Sequence, residues 1–338
     1  MSQMSMPVVM QHVTRMFGDV VAVRDVSLQV APGTILGLIG PSGSGKTTII
    51  RMLTGMVEPT EGTIRVLDEN PRRFRARTRE QIGYMPQHFV LYPELTAEEN
   101  VTFVASLFGM LWRRRRRRVK EVLQLVGLWD ARGRWASHLS GGMQRRLELA
   151  CALVHEPALL FVDEPTAGID PVLRQTIWDE FRRLRDAGRT LFVTTQYVGE
   201  AEYCDNVAVL RQGELIALAP PEELRHQALG GDVIEIETRN IVDGSIVQGL
   251  EGIKSVQQHG PRSLLVVADD AGEATPRVLA AIAAQGGQVA SSREYRPSFD
   301  EVFARLMATV EEPAEGTVER NGVPSDWAGV HGSRPGYR

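Results

Sequence analysis

Nine consecutive residues constrain this chain more than any other stretch: Gly40, Pro41, Ser42, Gly43, Ser44, Gly45, Lys46, Thr47 and Thr48. They follow an apolar run at 34–39 and precede a helix-like run at 49–53, so the segment reads as strand, loop, helix. The spacing Gly-x-x-x-x-Gly-Lys-Thr lets backbone N–H groups turn inward around phosphate oxygens, at a helix N-terminus whose dipole favours anions. Lys46 then reaches the β/γ-phosphates and Thr47 a Mg²⁺ ion. The loop alone leaves the protein class open, because kinases, GTPases and transport ATPases all use it.

A second stretch narrows the choice. The apolar run at 158–162 ends in two adjacent carboxylates, Asp163 and Glu164, followed by Pro165. Beside a phosphate loop, such a pair puts one carboxylate on Mg²⁺ and leaves the other for a water. Gln87 and Gln196 are polar residues at the ends of two further strands, where doubly wound sheets meet their ligands. Ser140, Gly141 and Gly142 open a helix and make a second anion cradle, although Ser-Gly-Gly is also an ordinary loop sequence.

Composition excludes several classes. The 338 residues are 43% hydrophobic and 24% charged, as expected of a globular chain of two or three domains. A formal charge of −4 argues against a nucleic-acid binder. Locally, Arg113, Arg114, Arg115, Arg116, Arg117 and Arg118 form an unbroken run that wraps all round a helix. It reads as a solvated turn near acidic partners or, alternatively, as a contact for anionic lipid headgroups, with nucleic acid a distant third. The two cysteines, Cys151 and Cys204, lack paired-ligand spacing and read as buried thiols in a reducing compartment, without a metal site. No secretory signal opens the sequence and no run of about 18 apolar residues occurs, so spanning helices are expected from another polypeptide.

Along the chain, residues 7–30 alternate as strands, and Phe17 falls early in this small sheet. It is a core residue by default and an adenine-stacking platform as the alternative. Thr96 with Glu99 forms a capping-box pattern that opens a helical segment running to about 126. From 232 the pattern reads strand, weak helix (241–250), strand, strand, helix, strand, a βαββαβ ferredoxin-like order. The second of those helices is bounded by Thr275 as cap, Pro276 at its first position and Gly286 beyond its end. A last amphipathic helix follows 298, and the tail at 311–338 has the composition of a disordered segment.

Together, residues 1 to about 225 resemble the nucleotide-binding subunit of an ATP-binding-cassette (ABC) transporter. The resemblance rests on the phosphate loop, Gln87, the signature Leu139-Ser140-Gly141-Gly142, the Asp163-Glu164 pair and the turn 167–170, in that order. It implies an α/β P-loop NTPase cassette at 1–228, with a RecA-like core sheet, a small antiparallel β subdomain and a helical subdomain at about 88–156. A small α+β ferredoxin-like domain follows at 229–310. It implies that Phe17 stacks on adenine, that Thr47, Gln87 and Asp163 surround Mg²⁺, and that Glu164 polarises the attacking water. Ser140, Gly141 and Gly142 would bind the γ-phosphate of ATP held by a second cassette, in a homodimer or with a relative, and Asp170 would communicate across that dimer. One phosphate loop and one signature, without internal repeat, require such pairing. The implied partner is a membrane permease, and the implied location its cytoplasmic face.

Two departures matter. Gln196 stands where the family usually has histidine, and can donate a hydrogen bond but not carry charge, so slow, Glu164-dependent hydrolysis is expected. Met143 stands where the signature often has glutamine. The C-terminal part, ending in Arg296-Pro-Ser-Phe299-Asp-Glu, is similar to the appended domain of drug-resistance-type export subunits. The competing readings are a catalytically slow nucleotide-gated switch and a soluble, non-transport ABC ATPase.

Overall fold

The computed structural model describes residues 5–88 and 90–309; the tail at 311–338 lies outside the described residues. Three hydrophobic cores organise the chain. The first sheet is antiparallel, in the order β2-β1-β4, from β1 (Val8–Phe17), β2 (Val20–Val30) and β4 (Glu61–Val66). Gly18, at φ 57°, makes the tight turn that pairs Phe17 with Val20.

The central sheet has six strands ordered β5-β6-β7-β3-β8-β9. Its strands are β3 (Ile35–Ile39), β5 (Ile82–Met85), β6 (Leu159–Asp163), β7 (Thr190–Thr195), β8 (Asn206–Arg211) and β9 (Glu214–Ala219). All pairs but the β8–β9 hairpin are parallel. In β3, β6 and β7 every residue is buried, as a sheet covered on both faces demands, and this explains their largely apolar sequences. The register Ile39–Thr195 and Asp163–Thr194 brings the ends of the three central strands to one edge. Cys204 belongs to this core: a Cβ on Gly37 would stand 2.5 Å from its Sγ, and burial pushes its thiol up out of the reactive range, as it does that of Cys151. Cys204 is buried as expected, whereas Cys151 is only partly buried.

Helix α1 (Lys46–Leu53) follows β3, and the short α2 (Ala76–Arg79) precedes β5. Then come α3 (Ala97–Leu107), α4 (Trp112–Leu125) and α5 (Gly141–Leu153), which pack on one another beside the central sheet. The capping box at Thr96 is present in full, with Glu99 accepting from the Thr96 N–H and Thr96 Oγ1 from the Glu99 N–H. The single helical segment expected to run to 126 is instead two helices. Gly109, at φ 67°, ends the first, and α4 starts afresh after Leu111.

Helix α6 (Pro171–Asp186) and α7 (Pro221–Leu229) complete the cassette, and a four-stranded antiparallel sheet follows. It is built from β10 (Asp232–Thr238), β11 (Ile253–Gly260), β12 (Ser263–Ala268) and β13 (Val289–Glu294), in the ferredoxin-like order β11-β12-β10-β13. Two expectations need correcting here. The weak helix at 241–250 is only a 3₁₀ turn, Gly244–Ile246, because Asp243 Oδ1 caps Ser245 and nothing propagates the coil. Helix α8 (Ala271–Ala284) begins earlier than Thr275: Asp270 is the cap, accepting from Glu273, and Pro276 lies inside the helix.

The last helix, α9 (Phe299–Thr309), returns to the cassette, packing on α7 and the turn Val198–Tyr203. Phe299 and Val302 are buried in the cassette's own core, and the Arg225 guanidinium lies 4.4 Å over the Phe299 ring. Phe299→Ala should therefore destabilise the cassette by about 3 kcal/mol. The check is urea denaturation followed by the fluorescence of Trp178, which is buried in the same core. An unchanged cassette transition would show that α9 contributes nothing to it.

Candidate active site

The loop at 40–45 is shaped by glycines packed against backbone. A Cβ on Gly40 would meet Leu210 O at 2.3 Å, and one on Gly45, at φ 105°, would meet Ala22 O at 2.5 Å. The loop thus lies flush on β8 and β2, its amides open at the start of α1. Lys46 is buried and its Nζ donates to Gly40 O at 2.8 Å and Pro41 O at 3.0 Å, with Glu164 Oε1 at 3.4 Å.

Around this ammonium the structure gathers most of the expected residues. Glu164 sits at the end of β6 in the left-handed region, φ 48°, held by its N–H donating to Thr194 O and Oγ1, both at 3.1 Å. Its Oε2 accepts from Gln87 Nε2 at 2.9 Å. Thr194 Oγ1 donates to Asp163 Oδ1 at 2.5 Å, and Thr47 Oγ1 lies 3.5 Å from the same oxygen. Asp163 Oδ2 is left buried without a hydrogen-bond partner, as is Ser44 Oγ. An orphaned carboxylate oxygen beside a threonine hydroxyl, with the Gln87 amide oxygen to spare, is the donor set of a hard divalent cation. No group of three or more His, Cys, Asp or Glu side chains that could hold a metal ion occurs among the described residues.

Other expected residues stand apart. Phe17 is exposed at the end of β1, with the Arg15 guanidinium 4.4 Å over its ring. Ser140 caps α5, accepting from Met143 N–H at 3.4 Å, and Gly141 is exposed. A Cβ on Gly142 would stand 2.1 Å from Leu173 Cδ2, so that glycine lets α5 approach α6. Asp170 Oδ1 caps α6, accepting from Val172 and Leu173 N–H at 3.0 Å each. Gln196 is exposed beyond β7 with no side-chain partner among the described residues. Ser42, Gly43 and Thr48 complete the loop and the first turn of α1.

Three residues escaped the sequence reading. Arg145, buried on α5, donates to Asp163 O (3.0 Å), Glu164 O (2.8 Å), Pro165 O (3.0 Å), Pro86 O (2.8 Å) and Gln87 O (3.3 Å). It also pairs with Glu148 Oε2 at 2.8 Å, while Glu148 Oε1 accepts from Val90 N–H. Burial raises the Glu148 carboxyl, and the Val90 N–H and Arg145 pull it back. Thr194 is the third, a polar residue inside an apolar strand. The available signal was polarity in the wrong place: an Arg/Glu pair at i, i+3 and a threonine at positions that must be buried.

Comparison with known proteins bears on the fold and the family. A model of the ABC transporter family matches residues 23–167, and a model of the C-terminal domain of DrrA1-3-like ATP-binding proteins matches 220–307. A Nod factor export ATP-binding protein I of Bradyrhizobium sp. (strain SNU001) is 44% identical over 237 residues, covering 70% of this chain and 77% of the relative. A probable multidrug ABC transporter ATP-binding protein of Escherichia coli, YbhF, is 37% identical over 218 residues, 64% of this chain but only 38% of the relative's length. Among solved structures, cbiO1 from Clostridium perfringens superposes with a TM-score of 0.61 at 26% identity, covering 65% of this chain and 90% of that one. The dimeric cassette MJ0796 bound to ADP and Pi gives 0.58 at 28%, covering 63% and 98%. With the phosphate loop, the carboxylate pair and the signature helix in one cassette fold, and with these relatives, the chain belongs to the ATP-binding proteins of the ABC transporter family.

Proposed function

We propose that this chain is the ATP-hydrolysing subunit of an ABC exporter that powers a separate membrane permease. The observation that carries the reading is Glu164, whose carboxylate stands between Lys46 and Gln87 beside the orphaned oxygen of Asp163. A carboxylate so placed can polarise a water for in-line attack on a γ-phosphate. Lys46 trades the carbonyls of Gly40 and Pro41 for phosphate oxygens when ATP enters, so the lysine is poised and already desolvated. Asp163 and Thr47, with Gln87, would hold Mg²⁺, which when bound neutralises charge on the β- and γ-phosphates.

The exposed Ser140 and Gly141, at the uncovered N-terminus of α5, are the surface a second cassette's ATP would meet, and Asp170 at the head of α6 lies on the same route. A homodimer would then complete two sites. Phe17 offers adenine one free ring face. The names of the relatives, a multidrug transporter protein and Nod factor export proteins, support export, and the reading takes a drug-like or lipid-like substrate and sets this chain at the cytoplasmic face of its permease; no helix among the described residues is long and apolar enough to cross a membrane. The second reading, a slow nucleotide-gated switch, is favoured by Gln196 alone, neutral and unpartnered at the edge of the site.

Two experiments test these readings. Glu164→Gln should lower ATP turnover by about 10²-fold or more, measured on the chain purified from membranes with its co-purifying permease, while ATP still binds. Equal turnover in wild type and variant would refute the assigned chemistry, and none in either would favour the switch. Gln196→His should raise turnover about tenfold, the difference between a neutral and a charge-assisted hydrogen bond to the transition state. No change would show that Gln196 lies outside the reacting groups, and a fall would refute the expected gain from a charge-assisted hydrogen bond.

A further inference from the structure

The arginine run is not uniform once folded. Arg114 donates to Glu156 at 2.7 Å, Arg115 to Ser106 Oγ at 2.7 Å, and Arg118 to Glu121 at 2.6 Å and to the Leu153 and Val154 carbonyls. Those three bind α4 to its neighbours. Arg113, Arg116, Arg117 and Lys120 recur at i, i+3, i+4 and i+7 and share the opposite, exposed face. Arg113 has no ion-pair partner among the described residues, Arg116 stacks 6.0 Å from the Trp112 ring, and Arg117 has only the exposed Glu121 at 3.5 Å.

Helix stability does not explain this placement. Arginines in a first turn face the positive end of the macrodipole, which disfavours them. Next to them, at the tip between α3 and α4, Leu107, Leu111 and Trp112 are 70%, 80% and 62% exposed. Three large apolar side chains protruding from one tip, fringed by cations, are costly in water. A bilayer demands no shape complement. It takes leucine into its acyl edge, seats tryptophan at headgroup level and lets arginine stems lie along the surface with their heads on phosphates.

We propose that the α3–α4 tip docks on an anionic membrane surface, with Leu107, Leu111 and Trp112 inserted and Arg113, Arg116 and Arg117 on lipid phosphates. The contact is independent of the ATP chemistry and would fix the orientation of the cassette beneath its membrane. It divides the run into a structural half and a lipid-facing half.

The test is flotation of the full chain with phosphatidylcholine vesicles with or without phosphatidylglycerol. Wild type should float with the anionic vesicles and be released by salt. Replacing Arg113, Arg116 and Arg117 together by glutamine should weaken partitioning on the order of 100-fold, taking about fivefold for each charge. Leu111→Ser with Trp112→Ser should abolish flotation even at low salt. Trp112→Phe should still float while losing a lipid-induced blue shift of fluorescence that wild type shows. ATP turnover should be unchanged in all three, which separates loss of docking from misfolding. Flotation that ignores phosphatidylglycerol, or variants that float like wild type, would overturn the proposal. So would variants that float normally yet lose the co-purifying permease, since that result assigns the tip to a protein contact. Inorganic phosphate at matched ionic strength should not displace the chain; if it does, the arginines bind free phosphate rather than a lipid surface.

Discussion

One buried guanidinium holds the candidate site together. Arg145 spreads its donors over the carbonyls of Pro86 and Gln87 at the end of β5 and of Asp163, Glu164 and Pro165 at the end of β6. Backbone carbonyls at strand ends lack ladder partners, and buried ones must find donors. Arg145 supplies them from a third element, α5, and Glu148 compensates its charge. A buried pair of this kind is weak evidence for net stability, but losing either partner would leave a charge stranded. What the pair provides is position: Gln87 and Glu164 are joined through their side chains and, independently, through their backbones to one cation.

That arrangement gives α5 a mechanical role. Its N-terminus carries Ser140 and Gly141 in the open, and barely a turn further on Arg145 grips the segments that carry Gln87 and Glu164. A rigid helix cannot shift at one end alone. Force on the signature end therefore reaches the carboxylate and the glutamine directly, and Glu148, through the Val90 N–H, extends the link into the segment that leads to α3. The sheet register supplies the second constraint. Because Asp163 pairs with Thr194, the threonine hydroxyl turns one carboxylate oxygen inward and leaves the other free.

Much of this was legible in the sequence where chemistry is local. The strand, loop and helix around 40–48, the strand ending at Asp163, and the capping box at Thr96 each depend on residues a few positions apart, and each takes the local form expected of it. What failed depends on competition between distant or neighbouring groups. Asp270 outcompeted Thr275 as a cap, being free to accept from Glu273 while the Thr275 hydroxyl bonds Ala271 O within the helix. Gly109 broke a helix that periodicity alone would continue. The roles of Arg145 and Thr194 rested on polarity at positions that must be buried, a weak signal because a polar residue in an amphipathic helix or a strand reads as a surface residue until burial is known. The arginine run could not be divided without Glu156 and Ser106, which lie far from it or on the preceding helix.

The formal charges of the cluster explain why the site should take its nucleotide with a cation. Lys46 carries one positive charge against the two carboxylates of Asp163 and Glu164, all of them largely buried. The surplus negative charge falls on Asp163, whose Oδ2 has no donor, since Lys46 leans toward Glu164 and Thr194 serves Oδ1. A naked triphosphate would meet repulsion there, whereas one that brings a divalent ion would place positive charge where the cluster lacks it. A histidine at 196 could have shared that task by charging; glutamine cannot. The burden of charge compensation near Glu164 would therefore rest on Lys46 and such an ion together.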